Sequence, residues 1–389
     1  MKLKILSVRL YGIPVGTLHQ ITDGKMRFEY VEDAKHALSL SMPLDQKRHG
    51  NMPCEKYFGG LLPESVDARK IIGRMFDANP NNTFALLKAI GADCAGAVSF
   101  HPPDDPIQSD ELREITVEPL SEQELEKHIR ELPQKPLFVG VDGLRLSLAG
   151  VQEKAAICLV NSEICIPMDG TPTTHILKPA IKNYDASVQN EFLCLKTAER
   201  LGLTVPKVEI RRAGAELYLL VERYDRRSDG SRIHRLHQED FCQAMGMREK
   251  YQRYGGPSHK DCFDLLFRSS QPAVDRNRLI QIAVFNFLIG NADAHGKNFA
   301  VLYDVHGKVK LAPFYDILCT QAYEQLTSDM CMKIGEHYNF KDVTADDWKL
   351  LSEQIDFSLP IIRKTAAEMS DRITTELIEE SFCQMLCFE

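Results

Sequence analysis

Polar and apolar residues alternate from the first residues of the chain. MKLKILSVRL, PVGTLHQ and KMRFEYV read as strands separated by Gly and Asp-Gly turn signals, so the first hundred residues are expected to be β-rich. Two helical patches follow, around MPCEKYFGGLLPES and DARKIIGRMF. HPPDDPIQSDE, with three prolines and four acids, offers little to bury and reads as a linker. Ser121, followed three residues on by Glu124, forms a capping box that predicts a short helix. From Leu137 the pattern returns to strands, in LRLSLAGVQEKAAICLV, ICIP and THILKPA, which predict a small antiparallel sheet. Phe192, Leu195, Ala198 and Leu201 then share one helical stripe that Gly202 stops, with Glu191 in its first turns. VEIRRA and ELYLLVERYD read as strands, and beyond them nearly everything is expected to be helical except the stretch NADAHGKNFAVLYDVHGKVKLAPFYDI.

The length of 389 residues predicts two or three domains. These are placed at 1–100 (β-rich subdomain), 101–135 (linker and short helix), 136–236 (β-rich lobe) and 237–389 (helical lobe). A net charge of −8 argues against broad binding of nucleic-acid backbones, and Arg211-Arg212 and Arg226-Arg227 read as solvated strand ends. Eleven cysteines without a CxxC pair suit reduced thiols in a cytoplasm better than a disulfide framework. Cys383 and Cys387 lie one helical turn apart, too few ligands for a convincing metal site. The alternating N-terminus reads as a strand rather than a signal peptide, and no segment reaches membrane-spanning length, so a cytoplasmic protein without membrane contact is expected.

The chemistry gathers after the apolar run Arg278 to Ile289, which Gly290 can end. Asp293 and Asn298 have the D-x-x-x-x-N spacing of a phosphotransferase loop, where the Asp orients the nucleophile and the Asn oxygen helps to hold Mg2+. FAVLY and KVKLAP predict a hairpin that returns Asp316 toward them, completing a small set of hard oxygen ligands. Standing alone, the same residues would read as helix caps and a turn. Upstream, Ser147 to Lys154, SLAGVQEK, places Gly150 where backbone can approach phosphate. Lys178 on a strand can reach the α- and β-phosphates with Glu191 as its partner. YLLVERYD offers main chain near Glu222 and Tyr224 to an adenine. The order of these parts is that of a two-lobed kinase.

LRLSLAGVQEK, TPTTHILKPA, NEFLCLKTAERLGL, LLVERYDR, NFLIGNADAHGKNFAV and LAPFYDI resemble segments of the HipA family of bacterial kinase toxins. VGTLHQ, LSLSMPL, FGGLLPES and GADCAGAV are similar to that family's N-terminal subdomain. The resemblance implies an α+β, two-lobed protein-kinase-like fold, with a β-rich N-terminal subdomain and a largely helical C-terminal lobe, binding ATP and Mg2+ between the lobes. It implies a serine/threonine kinase acting on a protein substrate, in known cases an aminoacyl-tRNA synthetase, so that translation stops and persistence is favoured. The partner it implies is a helix-turn-helix, HipB-like antitoxin, with operator DNA reached only through that antitoxin. By the same resemblance Asp293 is catalytic, Asn298 and Asp316 are metal ligands, and Lys178 contacts ATP. Gly150, Val151, Gln152 and Lys154 form the phosphate loop, Glu222 and Tyr224 the hinge, and Ser147 the site of autophosphorylation. Only twelve residues separate Lys178 from Glu191, fewer than in the best-known members, which bears on the activation loop and on protein-substrate choice.

Three alternatives compete. A metallohydrolase using Asp293, His295 and Asp316 lacks further ligands at short spacing. His295 therefore reads as a loop organiser bonded to backbone or Asp316, and Lys297 as a contact to the transferred phosphate. A small-molecule or lipid kinase does not need the long N-terminal extension. A non-catalytic interaction protein would not need Lys178, Asp293, Asn298 and Asp316 together.

Overall fold

The computed structural model describes residues 4–21, 24–138 and 145–387. The alternating N-terminal segments form β1 (Lys4–Leu10), β2 (Ile13–Gln20) and β3 (Met26–Tyr30), joined by β4 (Arg48–His49) and β5 (Val98–His101) in an antiparallel sheet ordered β4-β3-β2-β1-β5. Helices α1 (Asn51–Gly59), α2 (Val66–Met75) and α3 (Thr83–Ile90) fill the connection between β4 and β5. The third was not anticipated, although Asn82 caps it by accepting from the Ala85 N–H.

Residues 101–111 are not a free tether. Arg9, 2% exposed, holds the Asp105 carbonyl at 2.6 Å, and the buried Asp110 carboxylate accepts from Arg235 at 2.5 Å. The chain then adds β6 (Val117–Pro119) and the capped helix α4 (Glu122–Glu131), in which Ser121 and Glu124 bond each other's backbone N–H as expected.

A second sheet follows, made of β6 with β7 (Ala155–Val160), β8 (Glu163–Pro167), β9 (His175–Pro179), β10 (Val208–Ala213) and β11 (Glu216–Glu222), in the order β10-β11-β9-β7-β8-β6. Asn161 and Ser162 both have positive φ, as the two-residue turn of the β7–β8 hairpin requires. Of the strand predicted over LRLSLAGVQEKAAICLV, Leu144 lies outside the described residues, residues 145–154 form an irregular loop, and the strand begins only at Ala155. Helix α5 (Ser187–Arg200) crosses between β9 and β10. One apolar core runs from Leu6 and Phe28 of the first sheet to Ile157, Leu177 and Leu220 of the second, so the N-terminal subdomain is fused to the upper lobe.

The remainder is more stranded than its sequence suggests. Beside α6 (Phe241–Met245), α7 (His259–Leu265), α8 (Pro272–Ile289), α9 (Ala345–Gln354) and α10 (Leu359–Cys387) lie the pairs β12 (Arg226–Ser228) with β13 (Ile233–Arg235) and β17 (Asp329–Ile334) with β18 (His337–Asn339). A three-stranded sheet, β14 (Gln238–Asp240), β15 (Ala300–Tyr303) and β16 (Val309–Leu311), contains the expected hairpin at its β15–β16 pair. Several of these strands are three residues long, too short to show a period of two.

Arg226 corrects another expectation. Far from being a solvated strand end, it is 7% exposed and donates to Asp93 at 2.9 Å. Arg223 and Arg235 converge on the same aspartate, and Asp225 pairs with Arg223 and Arg226. Burial alone would raise the Asp93 carboxyl, but the three guanidinium groups hold it far below the usual range. Charges this deep persist only because each is paired. The side chains of Cys383 and Cys387 lie outside the described residues.

Candidate active site

The lower wall of the site begins where α8 ends. Gly290, at φ +70°, turns the chain, and the Asn291 side chain braces the next residues by bonding Asn286 at 3.0 Å and the Asp293 N–H at 3.1 Å. A tight turn, Gly296–Asn298, follows; a Cβ on Gly296 would stand 2.7 Å from Pro257 and 2.8 Å from Cys242, so only glycine fits. The Asn298 amide N–H donates to the Asp293 carbonyl at 2.9 Å, which leaves the amide oxygen for another ligand. The Asp293 side chain is 48% exposed, with Tyr251 Oη donating to its Oδ1 at 3.2 Å and Cys331 Sγ at 3.5 Å. The β15–β16 hairpin then returns the chain to Asp316, held in the left-handed region at φ +60°.

The upper wall meets it through Lys178. From β9 its ammonium donates at 2.6 Å to Glu191 Oε1 on α5 and at 2.6 Å to Asp316 Oδ1. Burial would lower the Lys178 pKa, but Asp316 and Glu191 together raise it above its ordinary value. Burial would likewise raise Asp316, yet Lys178 and Lys154 hold that carboxyl well below the usual range. At neutral pH both are charged.

The phosphate-loop residues divide. Gly150, Val151, Gln152 and Lys154 line the cavity, with Gly150 at φ +105° and its carbonyl accepting from the Glu64 N–H at 3.1 Å. Burial pushes the Lys154 ammonium down, partly offset by Asp316. Ser147, assigned to the nucleotide contacts on sequence grounds, is not among the lining residues. It is fully buried, donating from Oγ to the Leu61 carbonyl at 2.6 Å. Glu222 and Tyr224 both line the cavity. The Glu222 N–H is committed to the Lys207 carbonyl at 2.9 Å, which leaves its carbonyl and the Tyr224 backbone for a base. The Tyr224 ring stacks on Tyr315 at 5.6 Å.

His295 does not make the bonds expected of it. Its Nε2 stands 3.9 Å from Asp293 Oδ2, its Nδ1 has no partner among the described residues, and its ring packs edge-on to Tyr251. Burial lowers its pKa, which favours the neutral ring at neutral pH, and its contact with the loop is one of packing. Lys297 does line the cavity, but its ammonium is bonded to Glu64 at 2.9 Å. Glu64, Lys250 and Tyr251 were invisible to the sequence reading; nothing in PES or EKYQRY marks them.

These walls enclose a cavity of about 1060 Å³, large enough for a nucleotide and the end of a second substrate. Among the described residues no group of three or more His, Cys, Asp and Glu is placed to hold a metal. The Asn298 amide oxygen and the Asp316 carboxylate instead offer few, hard oxygen donors, the set that suits Mg2+ completed by water and phosphate.

The family model described as HipA N-terminal domain matches residues 6–101, and that described as HipA-like C-terminal domain matches residues 146–380. The protein Y4mE of Sinorhizobium fredii strain NGR234 is 41% identical over 95% of this chain and 90% of its own. The serine/threonine-protein kinase toxin HipA of Shewanella oneidensis MR-1 is 31% identical over 87% of this chain and 81% of its own. Among solved structures, the complex of HipA, HipB and operator DNA from Shewanella oneidensis MR-1 superposes with a TM-score of 0.84 at 27% identity, covering 96% of this chain and 90% of that one.

Proposed function

The chain belongs to the HipA family of serine/threonine kinases, and from that premise we propose that it is an ATP- and Mg2+-dependent protein kinase acting as the toxin of a bacterial toxin–antitoxin pair. The observation that carries this is the Lys178 ammonium, joined to Glu191 and Asp316 in the cavity that Asp293 and Asn298 also line.

In this reading the adenine lies against Glu222 and Tyr224, and Lys178 and Lys154 steady the phosphates. Asn298 and Asp316 are the residues that would hold Mg2+, which when bound neutralises phosphate charge. Asp293, half exposed and oriented by Tyr251, accepts the proton of a serine hydroxyl. The serine oxygen bonds the γ-phosphorus as the bond to the bridging oxygen breaks, and ADP departs.

The target proposed is an aminoacyl-tRNA synthetase, whose phosphorylation would stop translation and favour persistence in the cytoplasm. A HipB-like antitoxin is the proposed partner, since the Shewanella oneidensis structure is a complex of HipA, HipB and operator DNA; in this reading DNA is reached through that antitoxin. The chain's net charge of −8 suits that division of labour. Ser147 is the proposed site of self-phosphorylation. A phosphate on its buried Oγ would replace an O–H donor by negative charge against the Leu61 carbonyl, so the modified loop must leave its seat.

Calorimetric titration with ATP tests the nucleotide and metal reading. Binding should strengthen when Mg2+ is added, and Asp316→Asn should lose that increment; binding indifferent to Mg2+ in the unaltered chain would contradict it.

A further inference from the structure

Glu64 ends the turn between α1 and α2, anchored by the buried Leu61 and Leu62, and lies 233 residues before Lys297. Its Oε1 accepts from Lys297 Nζ and its Oε2 from Lys250 Nζ, each at 2.9 Å. All three side chains are mostly buried, and all three line the cavity beside Asp293. The same turn grips the phosphate loop: the Glu64 N–H donates to the Gly150 carbonyl, Pro63 bridges Gly150, and the Leu61 carbonyl accepts from Ser147. Burial alone would raise the Glu64 carboxyl, but Lys297 and Lys250 bring it down to about 2, so it is ionised at neutral pH.

Each ammonium has three donors and spends one on Glu64, so both keep donors for an anion. Without the carboxylate, two like charges in a half-desolvated wall would repel each other and swing apart.

We propose that Glu64 is a positioning residue for phosphoryl transfer, fixing Lys297 and Lys250 so that their remaining N–H donors meet the transferred phosphoryl group. This rests on the kinase reading above. It gives the N-terminal subdomain a part in the chemistry, since one short turn of it holds the phosphate loop and the catalytic loop together.

The test uses the full chain and Glu64→Gln, which keeps the volume and removes the charge. Labelled-phosphate transfer at saturating ATP, assayed well below the variant's melting temperature, should fall by about 10- to 100-fold while ADP affinity stays close to the parent, a loss confined to the transfer step although the uncompensated ammonium pair also lowers stability. Glu64→Asp should recover part of the rate. In the double variant with Lys297→Met, the two losses should not multiply, because the residues act as one unit. A Glu64→Gln rate within about twofold of the parent, or fully multiplicative losses, would overturn the inference. Should Glu64→Gln fail to fold, Lys297→Met alone must lower the rate with ADP affinity kept, and an unchanged rate there overturns it equally. An unaltered chain that transfers no phosphate would sink the kinase reading and this inference together, whereas an active chain indifferent to Glu64 sinks only the latter.

Discussion

Lys178 and Asp316 stand 138 residues apart in the chain and 2.6 Å apart in space, one on a strand of the upper lobe and the other at the end of the lower lobe's hairpin. The contact closes the site across the cleft, and it leaves Lys178 neutralising two carboxylates at once.

Lys178→Met should therefore act twice. Transfer should drop by about 10²-fold or more through lost phosphate stabilisation. Stability should fall by roughly 3 kcal/mol, because Glu191 is left buried without its partner. Labelled-ATP assays and urea denaturation read the two effects separately.

Asp93→Asn should destabilise without touching a phosphate. Asp93 belongs to the N-terminal subdomain and is met by Arg223 and Arg226, which lie on either side of Tyr224, the residue proposed for the hinge, and by Arg235. Removing its charge leaves three buried guanidinium groups sharing only the Asp225 and Asp110 carboxylates, at a cost of about 3 kcal/mol. Nucleotide affinity should weaken with it as the hinge loosens. Denaturation midpoints and ATP titrations on the same samples check both.

Ser147→Ala should keep transfer to other proteins and lose the self-phosphorylated species in intact-mass spectra. The cost in stability should be about 1 kcal/mol, that of one hydrogen bond to the Leu61 carbonyl.

His237 should make stability depend on pH. Burial lowers its pKa to about 4, and the neutral ring donates from Nε2 to the Leu38 carbonyl while Nδ1 accepts from the Ala97 N–H. Its folded pKa lies below the unfolded value, so the unfolded chain takes up the proton first and stability is lost as pH falls from ~6.5 toward 4. The buried Glu239, raised to about 7 by desolvation, works in the opposite sense. The clean measurement is thus the difference between the parent chain and His237→Gln. The parent's advantage should shrink by about 1–3 kcal/mol across that window and be flat above it.

How much of this was legible depends on whether a residue's partners lie close in the sequence. Asp293, Asn298 and Asp316 could be read because loop and hairpin spacing fixes them, and Lys178 with Glu191 because strand and helix follow each other directly. The Ser121–Glu124 cap and the Gly290 helix stop are local for the same reason. Arg226 was misjudged because the aspartate that draws it into the core, Asp93, lies 133 residues away; the adjacent Asp225 alone would not have marked it as buried. Glu64 was missed likewise, since only folding brings it to Lys297. Ser147 sits in a loop whose composition suggests phosphate contact, yet its hydroxyl is claimed by a carbonyl from another subdomain. The three-residue strands of the lower lobe carry too few side chains to show alternation.

The central claim is that Asp293 drives transfer of the ATP γ-phosphoryl group to protein serine. The most direct measurement incubates the purified chain with γ-labelled ATP, Mg2+ and a bacterial lysate beside Asp293→Gln, and identifies the labelled proteins. Labelled serine in a discrete protein, reduced by about 10²-fold or more in the variant with its fold intact, is the predicted result. Equal labelling by both chains, or label appearing only in a small molecule, would contradict it.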